Sequence, residues 1–369
     1  MKLQRHGTIA CLALTAALAL SACGSDNEAP STPASSGGAS TAAADCATGT
    51  LNAFGSSAQK NAVDEWRKAY QQLCTGATIN YEPNGSGAGI QSFIAKTADF
   101  AGSDSALKEE EQPQADARCA SGPAIHLPMV IGPVAVAYNL PGVDGLQLKP
   151  DTLAKIFAGT IKKWDDPAIK ADNASATLPS TNIQTVHRSD ESGTTDNFTK
   201  YLGTVAESDW TFGAGKAWKA PGGTGSKGSD GVATSVKSTE GSIAYMEWSY
   251  AENGGLSKAK IANGAGEFTE LTADAAGKTI ASTEVTGTGD DLKMKIDYAT
   301  KAPGAYPIVL VTYEIVCSKG TPADKLALVK GFLSYAASAE GQGSLTELGY
   351  APLPTEVQTK VAAAIKTLA

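Results

Sequence analysis

Of 369 residues, about 325 remain once an N-terminal leader and tether are set aside, more than one hydrophobic core usually holds, so two lobes are the starting expectation. Thirty Lys and Arg against 38 Asp and Glu give a formal charge of −8, which argues against nucleic acid as a partner. A small anion in a cleft is not excluded, because such a site answers to local donors rather than to net charge.

The first 22 residues read as an address and stay outside the fold. Lys2 and Arg5 precede an apolar run over residues 8–22, short for a bilayer span of about 20 apolar residues. Leu20-Ser21-Ala22-Cys23 closes the run, and a small-residue cleavage site followed at once by Cys resembles the bacterial lipobox. That resemblance implies a signal peptide over 1–22 and a lipidated Cys23 at the start of the mature chain. Residues 23–45 are dominated by Ser, Ala, Pro, Gly and Thr, cannot bury enough surface to offset ordering entropy, and are expected to be a flexible tether. Without Lys2 and Arg5 the net charge becomes −10.

Beyond the tether, short strands alternate with amphipathic helices, the pattern of an α/β fold. Leu51–Phe54 is a predicted strand, and a helix follows over 58–73, where Ala62, Val63, Trp66, Ala69, Tyr70 and Leu73 recur at helical spacing. Next come a strand at Thr78–Tyr81, a helix over 88–96, a strand at Asp99–Gly102, a charged helix over 107–117 and a long apolar strand over 129–139. A second lobe begins near Leu140. Its first helix runs from Pro150 to a stop at Gly159, with Pro early and Gly late as helix ends prefer. Ile183–His187 is a strand, a helix starts near Thr194, Gly222–Gly231 reads as a glycine-rich loop, and Ser242–Glu247 and Ile308–Cys317 are strands. Helices near 322–337, 339–348 and 354–367 close the chain, and there is no internal repeat.

Four Cys lie beyond the leader and anchor: Cys46, Cys74, Cys119 and Cys317. An even number outside the cell points to two disulfides with three possible pairings. Cys46 before the first strand and Cys74 at the end of the first helix favour Cys46–Cys74, with Cys119–Cys317. A zinc site is disfavoured, since no C-x-x-C pair and no nearby His accompanies them.

Three strand-to-helix turns are built from Ser, Thr and Gly: Gly55-Ser56-Ser57-Ala58, Asn84-Gly85-Ser86-Gly87-Ala88-Gly89, and Asp190-Glu191-Ser192-Gly193-Thr194-Thr195. The first N–H groups of a helix lack internal partners and carry partial positive charge, so each turn can face an oxyanion. Singly, such a turn is an ordinary N-cap. Three together, with Arg188 just before the last, point to an anion site, because a guanidinium offers paired donors to two oxygens. Asp104 stands at a strand end where open α/β sheets face a cleft, yet a carboxylate repels an anion. Monohydrogen phosphate reconciles the two, because it still has a proton to give an acceptor-only carboxylate, whereas sulfate has none. Gly277-Lys278-Thr279 lacks the glycine a P-loop needs at position 272, and Gly85–Gly89 lacks dinucleotide-fingerprint spacing. His126 and His187 are isolated, and Ser57, Ser86 and Ser192 have no evident His–Asp set, so neither catalysis, a metal nor a cofactor is expected.

Residues 81–90, Asp99-Phe100-Ala101-Gly102-Ser103-Asp104, residues 160–169 with Trp164-Asp165-Asp166-Pro167, and His187–Thr195 together resemble the periplasmic phosphate-binding proteins of phosphate-specific ABC transporters. The similarity covers nearly all of 48–365, and the Ser-rich tether and extra Cys resemble members from high-GC Gram-positive bacteria. The resemblance implies a two-lobed, type II-like binding-protein fold with a hinge, lobe one being 46–139 plus 303–369 and lobe two 140–302. It implies that Ser86 donates to phosphate, Asp104 accepts its proton, Arg188 supplies positive charge, and Ser192, Gly193 and Thr194 donate from lobe two, with Asp190 orienting Arg188. Where the family carries Thr and an aromatic residue, this chain has Ser57-Ala58, leaving a hydroxyl and a backbone N–H for the same contacts. The function implied is capture of inorganic phosphate by a monomer, lipid-anchored on the outer face of the cell membrane, for delivery to the permease subunits of an ABC importer. A secreted phosphatase-like enzyme and a receptor for another oxyanion are the alternatives.

Overall fold

The computed structural model describes residues 46–119 and 121–369, so the expected signal peptide, the expected lipidation at Cys23 and the whole of the tether lie outside the described residues. In chain order the elements begin β1 (Gly49–Gly55), α1 (Lys60–Leu73), β2 (Ala77–Glu82), α2 (Ser86–Ile94), β3 (Phe100–Ser103), α3 (Gln112–Cys119) and β4 (Ala124–Asn139). They continue with β5 (Gln147–Leu148), α4 (Pro150–Phe157), α5 (Pro167–Asp172), β6 (Gln184–Arg188), α6 (Gly193–Val205), β7 (Thr224–Ser226), α7 (Gly228–Ser238), β8 (Ser242–Glu247) and α8 (Trp248–Gly254). Then come β9 (Ser257–Lys258), β10 (Lys260–Ala262), β11 (Phe268–Thr269), α9 (Ala273–Ala281), β12 (Glu284–Val285) and β13 (Met294–Lys295). The last are β14 (Val309–Cys317), α10 (Ala323–Ala336), α11 (Ala339–Gly343), a 3₁₀ turn at Thr346–Leu348 and α12 (Thr355–Thr367).

A nine-stranded mixed sheet in the order β2-β1-β3-β14-β4-β8-β6-β7, with β9 beside β4, runs through the fold. Strands β1, β2 and β3 are parallel at one side, and β6, β7 and β8 are parallel at the other. The 16-residue β4 joins them: its first part pairs antiparallel with β14 and its last, Val134–Asn139, with β8. The hydrophobic core divides along this strand. Residues up to Ile131 pack with Leu51, Trp66, Phe100 and Phe332, whereas Val134 onward packs with Phe157, Trp164, Phe198 and Tyr245. Every residue of β4 before Asn139 is buried, which explains why it reads as an unbroken apolar run.

Several elements differ from the sequence expectation: β4 starts at Ala124 rather than near 129, and the helix expected over 339–348 stops at Gly343, with a separate 3₁₀ turn at Thr346–Leu348. The charged helix placed at 107–117 begins only at Gln112, because Leu107 N–H is committed to His126 Nε2 at 2.9 Å and Lys108 N–H to the Glu111 carboxylate. Gly222–Gly231 is a loop only in part: Thr224–Ser226 pairs with β6 as a parallel strand, and Gly228 opens an 11-residue helix. Cys46 is bonded to Cys74 and Cys119 to Cys317, with Cα separations of 5.1 and 5.3 Å.

Candidate functional site

The site is built from the turns at the carboxyl ends of parallel strands. Ser56-Ser57-Ala58 stand just past β1, Ser86 opens α2 after β2, Asp104 comes directly after β3, Arg188 ends β6 and Ser229 lies just beyond β7. Carboxyl ends of parallel strands are where α/β sheets gather ligand-facing groups. Here two such sets, one from each core, face each other.

The first turn does not start a helix directly, since α1 begins at Lys60. It is pinned from behind instead: Tyr250 Oη donates to Ser57 O and Tyr350 Oη to Ala58 O, both at 2.6 Å. Ala58 N–H is held by Ser56 Oγ at 3.0 Å. The second turn passes through Gly85 at φ +102°, where a Cβ would lie 2.5 Å from Asp190 Oδ2, so only glycine fits. Ser86 Oγ accepts from Asp104 N–H at 3.2 Å and from Gly193 N–H, across the interface, at 3.1 Å. The third turn is capped by Ser192, whose Oγ accepts from Thr195 N–H at 3.2 Å and keeps its own proton to donate.

Asp104 and Arg188 are each 3 % exposed and meet in this cluster. Thr312 Oγ1 donates to Asp104 Oδ1 at 2.8 Å, and Thr194 Oγ1 lies 3.4 Å from Oδ2. Burial pushes the Asp104 carboxyl above its ordinary value, against the pull of bonds from Ser56 and Thr312 and of the Arg188 charge. Asp190 grips Arg188 with both oxygens, Nε donating to Oδ1 at 2.7 Å and Nη2 to Oδ2. Burial alone raises Asp190, but these bonds outweigh it and hold the carboxyl below the usual range. Nη1 is left for another acceptor and lies 3.5 Å from Ser229 Oγ.

Direct contacts join Ser86, Asp104, Gly193 and Thr194, and Ser229 links Ser57 to Arg188 with Asp190 behind it, whereas the Ala58 N–H expected to face the ligand is bonded to Ser56 Oγ and the Ser192 N–H to Lys216 O. The two sides are also tied directly. Ser105 Oγ donates to Asp196 Oδ2 at 2.6 Å, Asn197 Nδ2 to Asp104 O at 2.7 Å, and the buried Lys216 Nζ to Glu111 at 2.9 Å. Sequence reasoning missed Thr312, Ser229 and the hydrogen bond that Ser56 gives Asp104. Thr312 carried a signal, being polar on a strand otherwise apolar apart from Glu314, two residues on and on the same face. Ser229 carried none, hidden in a stretch that reads as loop. His126 and His187 lie elsewhere: His126 bonds Asp291 at 2.7 Å and His187 stacks on Trp218. Among the described residues no group of three or more His, Cys, Asp or Glu could hold a metal ion.

Two α/β cores sharing a sheet, with a buried polar cluster where they meet, define a two-lobed binding protein. The family model described as a PBP superfamily domain matches residues 40–340. The chain is 45% identical over 373 residues to "Phosphate-binding protein PstS 3" of Mycobacterium tuberculosis, covering all of both chains. It is 35% identical over 325 residues to "Phosphate-binding protein PstS" of Pasteurella multocida, covering 86% of this chain and 90% of that one. A periplasmic phosphate-binding protein (PfluDING) solved with phosphate shares the fold at a TM-score of 0.69 and 23% identity, covering 85% of this chain and 93% of that one. This chain therefore belongs to the PstS phosphate-binding protein family of the PBP superfamily.

Proposed function

We propose that this protein captures inorganic phosphate at the Asp104–Arg188 cluster and delivers it to an ABC-type importer. The observation that carries the reading is the burial of one acceptor, Asp104, among donors from both cores: Ser56, Ser86 and Thr312 on one side, Thr194 and the charge of Arg188 on the other. A dianion that keeps one proton satisfies all of them. The expected boundary after residue 139 shifts into β4, where residues up to Ile131 join the first core and Val134 onward the second, with Ala276, Ile280 and Leu292 also packing in the first, and in this reading closure brings the two donor sets together. The protein is not an enzyme in this reading, acts as a monomer, and is held outside the cell membrane by lipid on Cys23. Support for a transport role comes from relatives named as phosphate-binding proteins and from a site whose serines are bonded to backbone and to one another, with no His placed to activate them among the described residues.

Calorimetric titration with phosphate and sulfate tests the reading. The expected result is tight phosphate binding and sulfate binding weaker by roughly 10⁴-fold or more, because sulfate has no proton to place between its own oxygen and the Asp104 carboxylate. Asp104→Asn should narrow that gap. Comparable affinity for the two anions in the parent, or phosphate turnover from organic esters by the metal-replete protein, would overturn it.

A further inference from the structure

Ser229 sits at the second position of α7, yet its hydroxyl does nothing for that helix: the N-cap is Lys227, with no side-chain capping bond. All its described contacts belong to the site. Ser229 N–H donates to Ser57 Oγ at 3.1 Å, the two hydroxyl oxygens are 3.0 Å apart, and Arg188 Nη1 lies 3.5 Å from Ser229 Oγ. Both serines are buried, Ser57 at 4 % and Ser229 at 1 % exposed, and they are 172 residues apart in the chain. The two hydroxyls own two protons and share one bond. Whichever serine donates across it, one hydroxyl proton of the pair has no acceptor among the described residues. With Arg188 donating to Ser229, the favoured order is Arg188 to Ser229 to Ser57, which polarises the last hydroxyl and strengthens it as a donor.

We propose that Ser229 is a positioning residue for the anion site: it completes the Ser57 donor by linking it to Arg188, so that this donor reaches full strength only when the two cores meet. The inference rests on the phosphate reading above and deepens it. Ser57 alone, with a rotatable hydroxyl, spreads its proton over several directions. With one lone pair held by Ser229 N–H and the other facing Ser229 Oγ, its proton is left pointing to the remaining side, where the ligand lies.

The test is a double-mutant cycle on the full-length protein, titrated with inorganic phosphate: parent, Ser57→Ala, Ser229→Ala and the double variant, with Ser229→Cys as a volume-conserving replacement whose thiol is a weak donor. Ser229→Ala and Ser229→Cys should each raise Kd by about tenfold, the size of one hydrogen bond to a charged group. The double variant should be no weaker than Ser57→Ala, because Ser229 acts through Ser57. Single losses that multiply in the double variant, or a Ser229→Cys that binds like the parent, would overturn the inference while leaving the phosphate reading intact. A parent that does not bind phosphate would overturn both.

Discussion

Arg188 brings one positive charge to the site and Asp190 cancels it, while Asp104 adds a negative charge of its own. A dianion bound there is therefore held chiefly by oriented dipoles and by the geometry of the guanidinium, not by an excess of cations. Arg188→Ala should weaken phosphate binding by about two orders of magnitude, since a charge-assisted donor is lost and Asp190 is left buried without its partner. Titration of the folded variant checks this. Gly193 has a different reason to be irreplaceable: an added Cβ would lie 2.5 Å from Asp104 Cβ and 2.6 Å from Ser86 Oγ. Gly193→Ala should keep the fold but abolish measurable binding, because the collision forces apart the two cores at their meeting point. Asp190→Asn should shift acid unfolding. A carboxyl held below its ordinary 3.8 stabilises the fold above that value and loses its contribution as pH falls through the lowered one, so the parent and the variant should differ at neutral pH and converge in acid.

Among the elements, β14 carries the most on one strand. Thr312 braces Asp104, Glu314 lies beside it with Oε2 unpartnered, and Cys317 ties the strand's end to α3. Burial pushes Glu314 up to about 8, with the neighbouring Asp104 adding to the shift and a bond to Gln59 opposing it. The folded chain keeps this proton where the unfolded chain, at its ordinary 4.5, has released it. Stability therefore falls as pH climbs from about 4.5 to about 8 and levels off above. Glu314→Gln should remove that fall, so its melting temperature should gain a few degrees on the parent between about pH 5 and about pH 9. The Cys119–Cys317 bond closes 198 residues, and chain-entropy reasoning assigns it about 5 kcal/mol against the open chain. Cys119→Ser with Cys317→Ser should lower the denaturation midpoint more than removal of Cys46–Cys74, which spans 28 residues.

At the scale of the whole molecule, a net charge of −8 repels the incoming dianion while the buried donors hold it once inside. Raising ionic strength screens the first effect more than the second, so stopped-flow association of phosphate should quicken with added salt while dissociation changes little. Much of this was legible in the chain. The alternation of strand and helix, the Ser-Gly turns at 84–89 and 190–195, and Arg188 and Asp104 as candidates for one site came from local chemistry, because periodicity and helix-end preferences act over a few residues. The start of α3 was not legible, since it depends on His126 taking the Leu107 N–H from 19 residues away. Nor was α7, whose glycines read as loop until β7 pairs beside β6 and sets its first turn. Thr312 and Ser229 belong to the site only because a sheet brings residues 104 and 312, and 57 and 229, within a hydrogen bond of each other. Composition and local pattern determined what kinds of groups were present and where chain direction changed. Which of them touch was decided by strand order and by the meeting of two cores, which are non-local and leave no trace in the spacing of neighbours.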